Sequence, residues 1–259
     1  MSHIALEDVR LHFRTQGSPS QPCVVLSNSL GTNLDMWDAQ AEALARDYYV
    51  LRYDARGHGL STRGSAPVTL ERLGRDVVGL LDALHISDTH FCGISMGGLT
   101  GQWLGIHQPK RLNKLVIANT AARIGTGDGW AARATQVRSA GMDSVADGAA
   151  TRWFTSAFIE RATGTVDGMI ARLRAQDAEG YAACCDALAV ADLRDTVASI
   201  AAPTLILAGE HDPVTTVADG VWMAERIPGS RLDTVSASHL SNIEAEAAFT
   251  QKLRQFLAD

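Results

Sequence analysis

Short apolar runs alternate with amphipathic stretches over most of the chain. The runs 23–26 and 49–53 are mainly apolar, which is typical of strands buried on both faces of a parallel sheet. The segment 69–84 instead repeats its apolar residues at helical spacing, with Thr69 as a suitable N-cap. This alternation predicts a mostly parallel central sheet flanked by helices. The remaining predicted strands are two short ones within 4–15 and those at 89–92, 115–118, 204–208 and 232–235, and the remaining predicted helices are at about 35–46, 99–107 and 242–257.

The alternation stops between residues 120 and 200. This stretch is rich in alanine, helical in pattern and without a strand-like run, and four residues supply most of its aromatic content: Trp130, Trp153, Phe154 and Phe158. An ordinary helical layer of the core is one interpretation, but we favour a helical cap over the carboxyl ends of the strands, where open α/β folds bind ligands. The prediction is a single domain, 1–259, with a core of 1–119 and 201–259 and a cap segment of about 120–200 inserted after the sixth core strand.

Composition narrows the class of protein. With 46% hydrophobic and 20% charged residues the chain is typical of a soluble globular protein, and no apolar run approaches the ~20 residues that span a bilayer. The first residues lack the basic and apolar regions of a signal peptide, so we expect a cytoplasmic protein. A net charge of −6 without a compensating Lys/Arg cluster argues against nucleic acid as a partner. The oligomeric state is left open.

The four cysteines, Cys23, Cys92, Cys184 and Cys185, show no CxxC or Cys/His ligand spacing. A zinc site is therefore not expected, and the adjacent pair has a poor geometry for a mutual disulfide. We expect buried or idle thiols in a reducing cytoplasm, and no metal site.

A nucleophile motif lies between the predicted strand 89–92 and the helix that follows it. Residues 93–98 read Gly-Ile-Ser-Met-Gly-Gly, a GxSxG turn with a strand before it and a helix after it. Such a turn exposes the Ser95 hydroxyl at its tip, and the flanking glycines leave room where a Cβ would collide with neighbouring elements. A glycine-rich turn that contains a serine by chance is the alternative. The strand–turn–helix context favours Ser95 as the nucleophile of an α/β-hydrolase fold.

A serine nucleophile needs a general base. In this fold the catalytic residues follow the order Ser, acid, His along the chain. Of the eight histidines, His239 follows the last predicted strand, whereas His58 precedes Ser95 and His211 lies among the candidate acids. His239 is therefore the predicted base.

The orienting carboxylate should follow the predicted strand 204–208, where the sequence offers Glu210 and Asp212. We predict Asp212, because Gly209 and Pro213 form a turn that holds it in a loop, whereas Glu210 lies nearer the strand end. Asn119, after the strand 115–118, has no carboxylate to contribute. A surface position is the common alternative for a lone Asp or His, but three residues that each follow a strand in the required order support a triad.

An oxyanion hole needs two N–H donors near the nucleophile. The backbone N–H of Met96 is the first, because it directly follows Ser95. The second should come from the loop 27–32, Ser-Asn-Ser-Leu-Gly-Thr, and we predict the N–H of Leu30. Many α/β hydrolases carry His-Gly in this loop and this chain does not, which leaves the second donor open by one residue.

Long segments of the chain resemble the bacterial 3-oxoadipate enol-lactonases of aromatic-acid catabolism. The matching segments include SNSLGT at 27–32, LRYDARGHGLS at 51–61, FCGISMGG at 91–98, ANTAARIG at 118–125 and, within the cap segment, RWFT at 152–155. The resemblance covers nearly the whole chain. It implies hydrolysis of 3-oxoadipate enol-lactone to 3-oxoadipate through an acyl-enzyme, with no cofactor.

The implied substrate is a small anionic lactone, so its carboxylate needs a cation or good donors in the pocket. Residues 121–200 hold eight arginines and no lysine, and the planar arginine fork suits a carboxylate. Arg133 and Arg123 are the candidates, with a solvated helix face as the alternative for either. Trp130 and Trp153 are candidate pocket-lining residues, for which a purely structural role is equally open.

Other functions fit the same residues. A carboxylesterase or a cofactor-free perhydrolase uses the same triad, and a substrate panel separates them from a lactonase. A non-catalytic small-molecule receptor on this fold is an alternative of another class, which any multiple-turnover ester hydrolysis excludes. A dehalogenase is disfavoured, because its nucleophile is a carboxylate where this chain has Ser95.

Overall fold

The computed structural model describes residues 2–259, so that Met1 of the predicted domain lies outside the described residues. The strands are β1 (Ser2–Ala5), β2 (Arg10–Gln16), β3 (Cys23–Ser27), β4 (Tyr49–Tyr53), β5 (Thr89–Ile94), β6 (Leu112–Ala118), β7 (Thr204–Gly209) and β8 (Arg231–Val235). They form one sheet in the order β1-β2-β4-β3-β5-β6-β7-β8. The pairs β1–β2 and β2–β4 are antiparallel, and every later pair is parallel. The loops after β3, β5, β6, β7 and β8 therefore leave the sheet at the same edge.

The α-helices fall into two groups, those that flank the sheet and those of the cap segment. The flanking helices are α1 (Asp38–Leu44), α2 (Leu70–Ala83), α3 (Met96–His107), α10 (Val217–Ala224), α11 (Ser241–Glu244) and α12 (Glu246–Ala258). Between β6 and β7 lie α4 (Gly127–Ala140), α5 (Asp143–Asp147), α6 (Ala149–Trp153), α7 (Ser156–Arg161), α8 (Thr163–Arg174) and α9 (Ala178–Val190). The predicted fold class, a mostly parallel sheet with a helical insertion after the sixth strand, is confirmed.

Apolar runs and a capping residue explain why the predicted strands β3 and β5 and the predicted helix α2 form. Every residue of β3 and of β5 is buried, as expected for central strands covered on both faces. Thr69 caps α2, because its side-chain oxygen accepts the Arg72 N–H at 3.1 Å.

Two predicted helices differ from those observed. The stretch 35–46 forms a 3₁₀ turn, Leu34–Trp37, before α1 begins. The stretch 242–257 is divided into α11 and α12 at Ala245, which has a φ of −115° and a ψ of 46°. Neither interruption changes the apolar pattern, so the pattern alone did not reveal them.

All four cysteines are buried and free. Burial raises the pKa of the Cys23 thiol to about 11 and that of Cys185 to about 12, so neither thiol is activated as a nucleophile. Within residues 2–259, no helix combines the length and the apolar character needed to cross a membrane.

Candidate active site

Ser95 sits at the tip of a sharp turn between β5 and α3. Its φ of 57° lies in the left-handed region that side chains rarely adopt, which marks a strained turn held by its surroundings. The surroundings leave no space for a side chain at either flanking glycine: a Cβ on Gly93 would overlap the Gly97 carbonyl, and a Cβ on Gly97 would overlap the carbonyl of Ser27. The Ser95 N–H donates to Ala118 O on β6 at 3.1 Å, which fixes the turn to the sheet.

The loops after β7 and β8 bring Asp212 and His239 together. Asp212 Oδ2 lies 2.8 Å from His239 Nδ1, and both side chains are almost fully buried. Because a carboxylate oxygen only accepts, His239 Nδ1 is the donor and Nε2 is the nitrogen left to accept a proton. The pair thus has the orientation that a general base and its supporting acid require.

The Asp212 carboxylate accepts several further hydrogen bonds. Its Oδ1 accepts the N–H of Val214 at 2.7 Å and that of Thr215 at 3.1 Å, and its Oδ2 accepts the Thr215 hydroxyl at 2.8 Å and Asn119 Nδ2 at 2.9 Å. Burial by itself raises the pKa of Asp212, but the hydrogen bond and charge of His239, with these other donors, lower the pKa below its ordinary value. Asp212 is therefore held as a carboxylate.

Glu210 and His211, the neighbouring candidates in this loop, lie outside that cluster. Glu210 is exposed and accepts a hydrogen bond from the Thr234 hydroxyl at 2.9 Å. His211 is also exposed, with its Nε2 3.3 Å from Ser236 Oγ. The structure therefore brings Asp212, and not Glu210, to His239.

Ser95 and His239 line the same cavity, of about 430 Å³. Within residues 2–259 no hydrogen bond joins the Ser95 hydroxyl to His239, and both groups face the cavity from opposite loops of the same sheet edge. Hydrogen bonds between a nucleophile and its base are often loose without substrate and tighten in the reacting complex. The cavity is the space in which a bound ester would meet both groups.

The loop after β3 also reaches this cavity, through Ser29 and Leu30. In the described part of the chain, the N–H groups of Leu30 and Met96 donate to no protein acceptor. The next N–H along the loop, that of Gly31, is already taken, because it donates to His58 Nε2 at 2.9 Å. Two N–H groups near Ser95 thus remain able to donate to a ligand.

The remaining cavity wall comes largely from the cap segment. Trp130, Trp153 and Arg133, three of the residues predicted to bind substrate, line it. Arg123 does not line it, because its guanidinium is paired with Asp192 at 3.1 Å on the outside of the cap segment. The full lining is Ser29, Leu30, Ser95, Ile124, Gly125, Thr126, Gly129, Trp130, Arg133, Val145, Arg152, Trp153, Leu173, Tyr181, Pro213, Val214 and His239.

Arg152 is a second arginine in this wall, and the sequence analysis did not single it out. Among residues 2–259, no carboxylate lies within ion-pair distance of Arg152 or of Arg133. Burial, and then the charge of Arg133, lower the pKa of Arg152, while its Nη2 donates to Val145 O at 2.6 Å. The Arg133 guanidinium lies 4.9 Å from the centre of the Trp130 ring. The wall therefore carries positive charge without a protein counter-ion.

Glu244 joins the loop that contains His239 to the cap segment. Its carboxylate is largely buried and accepts the Ser238 N–H at 2.9 Å, next to His239 in the chain. The same carboxylate accepts both the N–H and the hydroxyl of Thr155, between α6 and α7. A second bond between the two regions runs from the Leu240 N–H to the Trp153 carbonyl, at 3.1 Å.

The residues described contain no cluster of three His, Cys, Asp or Glu side chains able to hold a metal ion. The polar groups in and beside the cavity include a serine, a histidine–carboxylate pair, backbone N–H donors and two arginines.

Comparison with known proteins decides the family. The family model of the α/β-hydrolase fold matches residues 22–246. The chain is 49% identical over 246 residues to 3-oxoadipate enol-lactonase 2 of Acinetobacter baylyi, covering 95% of this chain and 92% of that protein. It is 46% identical to 3-oxoadipate enol-lactonase 1 of the same organism, with the same coverage of both chains. The chain belongs to the 3-oxoadipate enol-lactonase family of α/β hydrolases.

A solved structure agrees with this assignment. The enol-lactonase from Burkholderia xenovorans LB400 is 42% identical and superposes with a TM-score of 0.98 over 100% of both chains. The similarity to enol-lactonases therefore includes the cap segment as well as the sheet. The family resemblance inferred from the sequence motifs is confirmed.

Proposed function

We propose that the protein hydrolyses 3-oxoadipate enol-lactone to 3-oxoadipate, with Ser95 as nucleophile, His239 as base and Asp212 as the supporting acid. The observation that carries the proposal is a single cavity that contains both the serine–histidine pair and two arginines without a protein counter-ion. Such a cavity suits an ester that also bears a carboxylate. Membership of the enol-lactonase family supports the same substrate.

The first half of the reaction opens the lactone ring. Ser95 Oγ attacks the lactone carbonyl carbon while its proton passes to His239 Nε2, and the Asp212 carboxylate stabilises the resulting imidazolium. The carbonyl oxygen becomes an oxyanion that the N–H groups of Met96 and Leu30 stabilise. The intermediate then breaks its bond to the ring oxygen, which receives the proton from His239. The product of this half is an acyl-enzyme whose free end is an enol, which tautomerises to a ketone.

The second half releases the product. Water donates a proton to His239 Nε2 as its oxygen attacks the acyl carbon, and the same two N–H groups hold the second oxyanion. The intermediate breaks its bond to Ser95 Oγ, which recovers its proton from His239. The product carries two carboxylates, and no cofactor takes part in either half.

We propose that Arg133 and Arg152 bind the substrate carboxylate. Each guanidinium offers a fork of N–H donors, and burial strengthens their attraction to an anion. The indole of Trp130 packs against the guanidinium of Arg133 and restrains it. Trp153 completes the apolar wall around the ring of the lactone.

We further propose that the cap segment covers this cavity within a single domain, 1–259, whose core is 1–119 and 201–259. Its residues supply most of the cavity wall, while the core supplies Ser95 and His239. A cytoplasmic location agrees with four buried cysteines that remain free thiols, and the net charge of −6 disfavours nucleic acid as a partner.

Purified protein added to 3-oxoadipate enol-lactone tests the proposal, with loss of the enol-lactone absorbance as the readout. We expect multiple turnovers by the parent and a loss of several orders of magnitude in Ser95→Ala, which removes the nucleophile and little volume. Added chelator should leave the rate unchanged. A parent that hydrolyses simple esters but not this lactone would contradict the substrate assignment, and a Ser95→Ala rate within about tenfold of the parent would contradict the covalent mechanism.

A further inference from the structure

His58 lies beneath the oxyanion loop and is fully enclosed by protein. Its Nε2 is 2.9 Å from the Gly31 nitrogen, and its Nδ1 is 3.2 Å from the carbonyl oxygen of Arg56. A carbonyl can only accept and a backbone N–H can only donate, so Nδ1 carries the proton and Nε2 is the acceptor. Burial lowers the pKa of His58, which keeps the ring neutral and Nε2 free to accept.

The bond from Gly31 to His58 orients the loop that carries the second predicted oxyanion donor. Gly31 has a φ of +79°, and a Cβ there would lie 2.6 Å from Leu173 Cδ1, so the loop is confined on its other side as well. The Gly31 N–H belongs to the peptide group between Leu30 and Gly31, and the Leu30 N–H belongs to the peptide group just before it. Because His58 fixes the peptide group between Leu30 and Gly31, only the φ and ψ angles of Leu30 then determine where the Leu30 N–H points.

His58 is itself held by its own loop. The Gly57 backbone lies against the backbone of Gly180 in α9, where a Cβ on Gly57 would be 2.7 Å from Gly180 Cα. Gln176 Nε2 donates to the Gly57 carbonyl at 2.5 Å. The imidazole therefore bridges a loop anchored to the cap segment and the oxyanion loop of the core.

We propose that His58 is a positioning residue for catalysis: by accepting the Gly31 N–H, it holds the Leu30 N–H where the oxyanion forms. It acts through the loop, since it does not line the cavity. This inference rests on the proposed serine-hydrolase function. It applies to any ester that Ser95 attacks, because every such reaction forms the same oxyanion.

Two substitutions separate the two hydrogen bonds of the ring. By bond count, the amide oxygen of His58→Gln reaches the position of Nε2 and keeps the acceptor for Gly31, whereas the amide nitrogen of His58→Asn replaces only Nδ1 and loses that acceptor. His90→Asn changes another largely buried histidine, on β5 and outside the cavity lining, and serves as the control. The measurements are kcat and KM with 3-oxoadipate enol-lactone and with 4-nitrophenyl acetate, and the thermal unfolding midpoint of each variant.

We expect His58→Asn to lower kcat on both substrates by about 10²- to 10³-fold, the loss observed when one oxyanion donor is removed, with KM within about threefold of the parent. His58→Gln should retain kcat within about tenfold of the parent, and His90→Asn within about twofold.

Other results would overturn the inference. The hydrogen bond from Gly31 would not determine the position of the Leu30 N–H if the Gln and Asn variants lost equal amounts of kcat. The same conclusion would follow if only KM changed, or if the Asn variant kept a nearly parental kcat. A Gln variant that folds with the parental unfolding midpoint and yet loses about 10²-fold in kcat would do the same, even if the Asn variant does not fold. A parent that is active on 4-nitrophenyl acetate alone would contradict the lactone assignment and leave this comparison intact.

Discussion

Asn119 Nδ2 lies 2.9 Å from Asp212 Oδ2, the same carboxylate oxygen that accepts the hydrogen bond from His239 Nδ1. The amide is fixed at both ends, because its Oδ1 accepts the Ser241 hydroxyl at 2.5 Å and its Nδ2 also donates to the Ser238 carbonyl at 3.1 Å. Asn119 therefore holds the carboxylate oxygen that faces His239, and does so from the end of β6 rather than from the loops that contain Asp212 and His239.

Replacing Asn119 tests this contact. We expect Asn119→Ala to lower kcat on the enol-lactone by about ten- to a hundredfold, the range expected when a hydrogen bond to a charged group is lost. Asn119→Asp should lower kcat further, because it replaces a donor with a second negative charge beside Asp212. Asn113→Ala, at an exposed asparagine that bonds Asp88 Oδ1, is the control and should retain the parental kcat. The interpretation fails if the Asn119 and Asn113 variants have the same kcat.

The assignment of the acid predicts unequal effects at two neighbouring carboxylates. Asp212→Asn should reduce turnover by about 10⁴, because the amide can present a donor to His239 and stabilise the wrong tautomer. Glu210→Gln should stay within about tenfold of the parent, since the Glu210 side chain is exposed and accepts its hydrogen bond from the Thr234 hydroxyl, away from His239. Steady-state kinetics on the enol-lactone compares the two directly, and a reversed order would mean that the acid is Glu210.

The lowered pKa of Asp212 predicts a pH dependence of stability. A carboxyl whose pKa is lower in the folded than in the unfolded state contributes stability above its ordinary value of 3.8, and loses that contribution as the pH falls through the folded value. The free energy of unfolding of the parent, relative to Asp212→Asn, should therefore decrease as the pH falls below about 4. Urea unfolding at a series of pH values measures the difference. A difference that does not change down to about pH 3.5 would argue against a stabilised carboxylate at this position.

The two arginines of the cavity wall predict a loss of kcat/KM that depends on the charge of the substrate. Arg133→Ala and Arg152→Ala should each lower kcat/KM for the anionic lactone. The loss should correspond to about 2 kcal/mol of transition-state stabilisation, the scale of a charge-assisted hydrogen bond. Hydrolysis of the neutral 4-nitrophenyl acetate should change little, because that ester has no carboxylate to bind. The ratio of the two kcat/KM values cancels general damage to the cap segment.

Arg123→Ala provides the matched control for those variants. Arg123 is paired with Asp192 outside the cavity, so Arg123→Ala should leave kcat/KM unchanged for both substrates. Equal losses on the two substrates in Arg133→Ala or Arg152→Ala would indicate a structural arginine. A lactone-specific loss in Arg123→Ala would show that the carboxylate lies elsewhere.

The sequence was informative where a local pattern determines the structure. Apolar runs predicted the strands and the sheet. The positions of Ser95, Asp212 and His239, each after a strand, predicted which side chains would be close, because parallel strands end at one edge. It did not identify Arg152 among eight arginines of the cap segment, because which face of a helix meets the cavity depends on tertiary packing. RWFT at 152–155, which matches the enol-lactonases, was the one signal that pointed to it.

Contacts between distant parts of the chain were beyond the sequence pattern. Asn119 has no carboxylate and was not predicted to belong to the site, although its amide nitrogen donates a hydrogen bond to Asp212. The break at Ala245 follows directly after Glu244, whose side chain is bound to Ser238 and Thr155. Both roles depend on residues that are far apart in sequence, and no periodicity encodes them.

Glu244 links the motion of the cap segment to that of the loop that contains His239. Because one carboxylate accepts hydrogen bonds both from Ser238, next to His239, and from Thr155, at the start of α7, displacing α7 breaks bonds of the same group that holds the His239 loop. A displacement of the cap segment at α7 and a displacement of the loop that contains His239 are therefore coupled through Glu244.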